Sequence, residues 1–383
     1  MLEFVVEFGI FMQAAVPRWR WENDNEAEHT AIMGSVELGV AAEKAGFKYV
    51  WTSEHHGLAE YSHLSAPEVL LAYLAAKTST VHLGAAIMNP LPAVNHPART
   101  AERVALLDHL TEGRFEFGTG RGAGTYELGT FNIADNKITK DMWDEVIPEF
   151  LKIWSSDEYQ FQGKYFDMPE RNIVPKPWNK SHPAMWVAAG NPPTYEKAAR
   201  LGLGVLGFFI GSIYNMAPCI DSYKNTIDKA EPVGLYVNDN VMLGYRGLCL
   251  PDPRRAREAF VQLRTGYYDS LVYHRHDTFP RPDGIPYWPE VLPDPTLKDV
   301  DRLIDEGKTM CGDPAEVIEQ VRKIEAMGVD QLMFTMPYEL DQETALEVID
   351  TFGRYVIPEF DKDPVHRTTH HRNGSTRHLP SRI

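Results

Sequence analysis

Apolar positions along this chain recur with two alternating periods. Short runs rich in β-branched and aromatic residues, at 4–11, 47–53, 81–88, 114–119, 184–189, 204–210, 241–250 and 330–335, read as strands. Between them, apolar residues return at helical spacing, which predicts helices around 29–45, closed by Gly46, and over 66–77, 97–110, 139–154, 194–201, 214–230, 253–271, 314–327 and 342–356. Pro97 in a first helical turn suits that position, because the missing N–H has no intrahelical partner there. Strand and helix in regular alternation imply a parallel sheet, and about eight such units favour closure over an open doubly wound sheet. The expected fold class is α/β: a (βα)8 TIM barrel with a long loop inserted before the last strand.

Two stretches break the rhythm. Residues 274–298 are dense in proline and charge, too proline-rich for a helix, yet carry Phe279, Tyr287 and Trp288; a loop of this kind reads as a lid. Beyond Pro358 the periodicity ends in a basic segment containing His366, His370, His371 and His378, so 361–383 is expected as a disordered tail behind a single barrel domain over 1–360. The apolar start has no basic leader, and Glu3 and Glu7 interrupt it, so it reads as a first strand rather than a targeting segment. The stretch 201–213 is too short and glycine-rich to span a bilayer, which makes a cytoplasmic location the expectation.

Composition narrows the partners. Among 383 residues, 43% are hydrophobic and 24% charged, as in an ordinary globular protein, and the net charge of -16 repels nucleic acid and acidic membrane surfaces. Cys219, Cys249 and Cys311 lie far apart with no Cys-x-x-Cys spacing, which argues against a zinc site or a disulfide scaffold and suits a reducing compartment.

Chemistry points first to Glu54-His55-His56, directly after the strand-like run 47–53, because barrel enzymes work at the carboxyl ends of their strands. Adjacent side chains on extended backbone face opposite ways, so one of the two histidines is structural, and a metal site built from both is disfavoured. At the end of the strand 114–119, Gly118, Gly120 and Gly122 let a flat ligand approach the main chain, and Arg121 offers a forked cation to an anion. No Gly-x-Gly-x-x-Gly follows the first strand, so nothing marks a bound nicotinamide dinucleotide.

Glu54-His55-His56, the stretch NHPARTAERVALLDHLTEGRFEFGTGRG ending at Gly122, and WVAAGNPPTYEKAARLGLGVLG from Trp186 to Gly207 together resemble the bacterial luciferase-like flavin-dependent monooxygenases, in order, over most of the chain to about Val356. That resemblance implies a (βα)8 barrel, flavin at the carboxyl ends of the strands, and a homodimer built on the helices after the early strands. His55 matches the family histidine that stabilises or protonates the oxygenated flavin. Ala86 and Ile87 fall in the segment whose backbone lies against the flavin ring, often through a non-prolyl cis peptide. Arg121 matches an arginine near the flavin phosphate, with Gly120 standing where the luciferases proper carry cysteine. Gly190, Asn191 and Thr194 match a phosphate-cradling helix start, a setting whose main-chain amides suit a phosphate. Lys140 occupies a position where relatives often place a second phosphate arginine; lysine keeps the charge and loses the fork.

The implied activity is oxygenation of a small apolar organic substrate (an aldehyde, ketone or hydrocarbon) by reduced FMN and dioxygen, through a flavin 4a-hydroperoxide. The reduced FMN arrives as a diffusible cosubstrate from a separate NAD(P)H-dependent flavin reductase. Phe11, Met12, Trp19, Trp21, Phe208 and Phe209 would wall an apolar pocket with the lid aromatics. Two alternatives stay open: a deazaflavin-dependent oxidoreductase of the same fold, and a catalytically silent flavin-binding protein.

Overall fold

The computed structural model describes residues 6–277, 281–335 and 339–380. Eleven strands are formed among them: β1 (Glu7–Met12), β2 (Tyr49–Thr52), β3 (His82–Met88), β4 (Phe115–Thr119), β5 (Tyr159–Gln162), β6 (Asp167–Arg171), β7 (Ala184–Ala189), β8 (Gly204–Gly207), β9 (Val241–Cys249), β10 (Met310–Gly312) and β11 (Gln331–Thr335). Eight of these pair in parallel in the order β1-β2-β3-β4-β7-β8-β9-β11, and β11 returns to β1 with Gln331 opposite Glu7. The sheet is therefore a closed barrel without a free edge, with helices in the connections, as the alternation predicts. Strand β10 runs parallel to the end of β9. The antiparallel hairpin β5–β6 lies apart from the barrel sheet and was not anticipated from the sequence.

Two long helices expected from the sequence are each broken in two. The stretch 139–154 forms Ile138–Val146 and Glu149–Ser155 on either side of Pro148, which cannot donate into a continuing helix. The stretch 253–271 forms Pro253–Val261 and Thr265–Arg275, separated where Arg264 turns left-handed at φ 47°. The expected strand 4–11 begins in residues outside the described ones. Among the described residues no helix is long and apolar enough to cross a membrane.

The loop insertion does precede the last strand, between Thr265–Arg275 and the helix Leu297–Asp305. Phe279 lies outside the described residues. Trp288 stacks on His274 at 5.4 Å and meets Tyr267 edge-on, Leu292 N–H donates to Ser270 Oγ at 2.8 Å, and Gly266 N–H donates to Asp294.

The carboxyl-terminal segment departs from expectation. Residues 361–380 are not a disordered tail: they close the amino-terminal mouth of the barrel, with a helix at Arg367–Asn373. Arg372 makes a bidentate ion pair with the fully buried Asp108, at 2.7 and 2.9 Å. Arg367 N–H and Lys48 both donate to Glu7, Thr368 donates to Glu116 at 2.6 Å, and His366 stacks on His82 with ring centres 3.8 Å apart. The basic composition that reads as solvated in sequence is matched here by acidic side chains at the strand starts and on the helix Pro97–Leu110, and charge pairing with burial orders the segment. Residues 381–383 lie outside the described ones.

Candidate active site

At the opposite mouth, where the barrel strands end, the side chains predicted for chemistry gather on two sides. The two histidines after β2 face apart, as extended backbone requires. His56 Nε2 pairs with Glu54 Oε1 at 3.0 Å, and the other Glu54 oxygen accepts the Asn89 N–H at 3.1 Å, so His56 fastens the end of β2 to the loop after β3. The hydrogen bond to Glu54 raises the His56 pKa. His56 is the structural member of the pair.

His55 is held differently. Its Nδ1 lies 3.1 Å from Glu127 Oε1, while Glu127 also accepts the backbone N–H of His56 at 2.8 Å and of Ala123 at 2.5 Å. Burial alone would push the Glu127 pKa up; the bonds from His55 and the two amides outweigh it, and the carboxyl sits below its ordinary range. A carboxylate fixed this way accepts from Nδ1–H and leaves Nε2, which has no partner among the described residues, as the nitrogen open to a ligand. Around the ring, Tyr61 approaches edge-on at 5.0 Å, and His276 hydrogen-bonds the Tyr61 hydroxyl at 2.8 Å. Burial, then the nearby His55, drop the His276 pKa to about 3, so that ring is neutral. Glu127 and His276 were not picked out from the sequence. The short helix Thr125–Gly129, which carries Glu127, follows directly on the Gly-rich stretch and was the available signal.

In β3, Ala86 and Ile87 are the two partly exposed residues of an otherwise buried strand, and the bond between them is a non-prolyl cis peptide, within the segment where the resemblance placed one. The neighbouring glycines serve packing first. A Cβ on Gly118 would stand 2.0 Å from the Ala85 carbonyl oxygen, and one on Gly120 would meet the Ile87 side chain at 3.0 Å. Gly120 thus lets Ile87 lie against β4.

Cations collect beyond β4 and β7. Arg121 donates to Thr139 at 3.4 Å, on the helix Ile138–Val146 that also carries Lys140 and Asp144. Asp144 pairs with Lys197, which lies over the Trp143 ring at 5.2 Å. Lys197 stands three residues after Thr194, on the same face of the helix Pro192–Arg200, and joins the group although the sequence did not mark it. Lys140 is exposed. The helix start is a weaker anion cradle than expected: Pro192 and Pro193 have no N–H, and the Thr194 N–H and hydroxyl both bond Asn191 Oδ1, at 3.1 and 2.9 Å. The donors available to an anion here are chiefly side-chain cations.

The donor set fits an FMN-like group: a partly exposed apolar strip at Ala86–Ile87 for a flat ring, a polarised histidine just past the neighbouring strand, and Arg121, Lys140 and Lys197 for a phosphate.

The side chains expected to wall an apolar chamber fall in different places among the described residues. Of its proposed walls, only Met12 lines the cavity of about 330 Å³ that opens beside β1, β9 and β11. Trp19 instead packs against Tyr267 with Arg264 over its ring, Phe208 stacks on His276, and Phe209 lies near Tyr245.

The luciferase-like monooxygenase family model matches residues 6–331. The chain belongs to this family of flavin-dependent monooxygenases and is an oxidoreductase. Over 373 residues it is 23% identical to the oxygenase component of the flavin-dependent trigonelline monooxygenase of Acinetobacter baylyi, covering 90% of this chain and 94% of that protein. In fold it is similar to the oxygenating constituent of 3,6-diketocamphane monooxygenase from Pseudomonas putida, solved with FMN, with a TM-score of 0.72 and 17% identity over 94% of this chain and all of that one. It is also similar in fold to the coenzyme F420 dependent tetrahydromethanopterin reductase of Methanopyrus kandleri, with a TM-score of 0.68 and 19% identity over 93% of this chain and all of that one.

Proposed function

We propose that this protein is the oxygenase of a two-component system, taking reduced FMN from a separate NAD(P)H-dependent flavin reductase and using dioxygen to oxygenate a small organic substrate. The observation that carries this reading is the His55–Glu127 pair at the end of β2, flanked by the strip at Ala86–Ile87 and the cations at Arg121, Lys140 and Lys197. The Acinetobacter relative, an oxygenase component by name, supports the division of labour.

When bound, reduced flavin supplies the electrons that activate dioxygen. The chain does the rest. Arg121, with Lys140 and Lys197, neutralises the phosphate; the backbone at Ala86, Ile87 and Gly120 seats the ring; Gly190, Asn191 and Thr194 border the phosphate end. Glu127 fixes the tautomer of His55, which holds or moves a proton at Nε2. His276 and the loop beyond it act as a lid that excludes water. A homodimer is part of the proposal: Val69 and Tyr73 on the helix Pro67–Ala75, and Leu106 and Leu110 on Pro97–Leu110, are large apolar side chains exposed at i, i+4 spacing on the helices after β2 and β3.

The test is anaerobic titration with reduced FMN and with reduced coenzyme F420, followed by rapid mixing with dioxygen. Tight binding of FMN with fast oxygen consumption is expected. Preference for reduced F420 overturns the FMN assignment in favour of hydride transfer, and FMN binding without oxygen reactivity leaves a silent flavin-binding protein.

A further inference from the structure

The cavity beside β1, β9 and β11 lies on the catalytic face, away from the cationic group at β4 and β7. It is joined to His55 through aromatic residues: Tyr61 meets His55, Tyr268 stacks on Tyr61 at 5.9 Å with the rings 12° from parallel, and Tyr268 forms part of the cavity wall. Gln13, another wall residue, accepts the Tyr268 hydroxyl at 2.7 Å. A molecule seated in the cavity is thus separated from the proposed proton-handling histidine by two stacked rings, Tyr268 and Tyr61.

The polar groups of the wall are unequally matched. Arg246 is paired with Asp269 at 2.6 Å, and Asp341 is engaged in capping the helix Gln342–Tyr355 through the Thr344 N–H and hydroxyl. Two groups remain. The Arg20 side chain, half-buried, makes no hydrogen bond or ion pair with any described residue, and Glu339 Oε1 is buried without a hydrogen-bond partner among the described residues. Burial raises the Glu339 pKa, with Arg264 and Arg20 pulling the other way, which puts the two unmatched groups within electrostatic reach of each other. A buried acceptor and a half-buried cation, both without a side-chain hydrogen bond among the described residues, become specific when a ligand completes them.

On the reading that the protein is a flavin monooxygenase, we propose that this cavity is the substrate site and takes a small organic carboxylate that also carries a hydrogen-bond donor, the carboxylate on Arg20 and the donor on Glu339. Its volume of about 330 Å³ stands at the small end of ligand cavities and accommodates a single substituted ring. This replaces the wholly apolar substrate expected from the aromatic residues of the first loop.

Calorimetry on the full chain without flavin, using 4-hydroxybenzoate, benzoate, methyl 4-hydroxybenzoate and decanal as probes, tests it. The expected order is 4-hydroxybenzoate ahead of benzoate, with the ester at least tenfold weaker than its acid and decanal weaker still. Arg20→Ala should abolish the preference for acid over ester. Glu339→Leu, which removes the acceptor, should abolish the advantage of the hydroxyl while sparing benzoate, a selective change that misfolding cannot produce. Equal binding of acid and ester, preference for decanal, or failure of every carboxylate to bind overturns the proposal. Because flavin is absent, the outcome is separable from the FMN titration: FMN binding without carboxylate binding sinks only this inference, and the reverse sinks only the flavin assignment.

Discussion

His55 Nδ1 lies 3.1 Å from Glu127 Oε1, and the same carboxylate gathers the backbone N–H groups of His56 and Ala123. One acidic side chain therefore sets the tautomer of the histidine and binds the loop after β4 to the end of β2. His55→Ala should lower turnover by about 100-fold or more, at the low end for general acid–base catalysis, while flavin affinity stays near that of the parent. Glu127→Gln, which keeps the shape and loses the charge, should cost about tenfold or more. Steady-state turnover with an identified substrate, alongside flavin titration, checks both; unchanged turnover in the His55 variant removes it from catalysis.

Arg121 is the forked cation of the proposed flavin site. Arg121→Ala should weaken binding of reduced FMN by about 1.5 to 3 kcal/mol, the range for charge-assisted bonds. Lys197→Ala should act in the same direction and less, because its ammonium is already paired with Asp144. Riboflavin, without a phosphate, should bind all three proteins alike. Riboflavin affinity equal to that of FMN in the parent would detach these cations from phosphate binding.

Arg372 and Asp108 join the carboxyl-terminal segment to the helix after β3. Arg372→Ala leaves Asp108 buried with its charge unmet, for which about 3 to 5 kcal/mol of destabilisation is expected. Urea denaturation measures it; a midpoint within error of the parent would show the segment to be dispensable for stability.

Buried histidines give the fold a defined acid limit. Burial, chiefly, depresses the pKa of His366 to about 2, of His276 to about 3 and of His182 to about 4, and holds His82 well below its ordinary value. The unfolded chain takes up these protons below its ordinary histidine pKa and the native state does not. Stability should therefore be lost as pH falls below about 6.5, by up to about 1.4 kcal/mol per pH unit for each histidine. Glu116 acts with the opposite sign: burial raises its pKa to about 8, so its contribution is present at low pH and lost as pH rises through that value. Urea midpoints between pH 5 and 9 check both limbs, and a flat profile from pH 7 to 5 contradicts the histidine assignment.

The loop beyond His276 and the helices after β2 and β3 give two solution tests. If the loop closes over bound flavin and substrate, chymotryptic cleavage after Tyr287, which is 76% exposed, should slow on their addition, whereas tryptic cleavage after Arg275, buried within its helix, should be absent throughout. Val69→Glu combined with Leu106→Glu should convert a dimer to a monomer by sedimentation. Cleavage indifferent to ligands, or an unchanged mass in solution, counts against each in turn.

The barrel and much of its working mouth are determined locally. Apolar periodicity fixes which segments are strands and helices, eight such units close on themselves, and a histidine or arginine just past a strand must stand at the mouth; His55 and Arg121 were legible for that reason, and the Ala86–Ile87 segment only through the family resemblance. Their partners were not. Glu127 meets His55 across 72 residues of sequence, and Lys197 joins Arg121 only because the helices after β4 and β7 lie side by side. The carboxyl-terminal segment is basic and aperiodic by composition, and its order comes from Asp108, Glu7 and Glu116, carboxylates on other elements that no local pattern connects to it. The wall of the cavity is likewise drawn from the ends of β1, β9 and β11, which adjoin only once the barrel has closed. Periodicity is a property of neighbours in sequence, whereas charge pairing and cavities depend on which surfaces folding brings together, and that the tertiary structure alone decides.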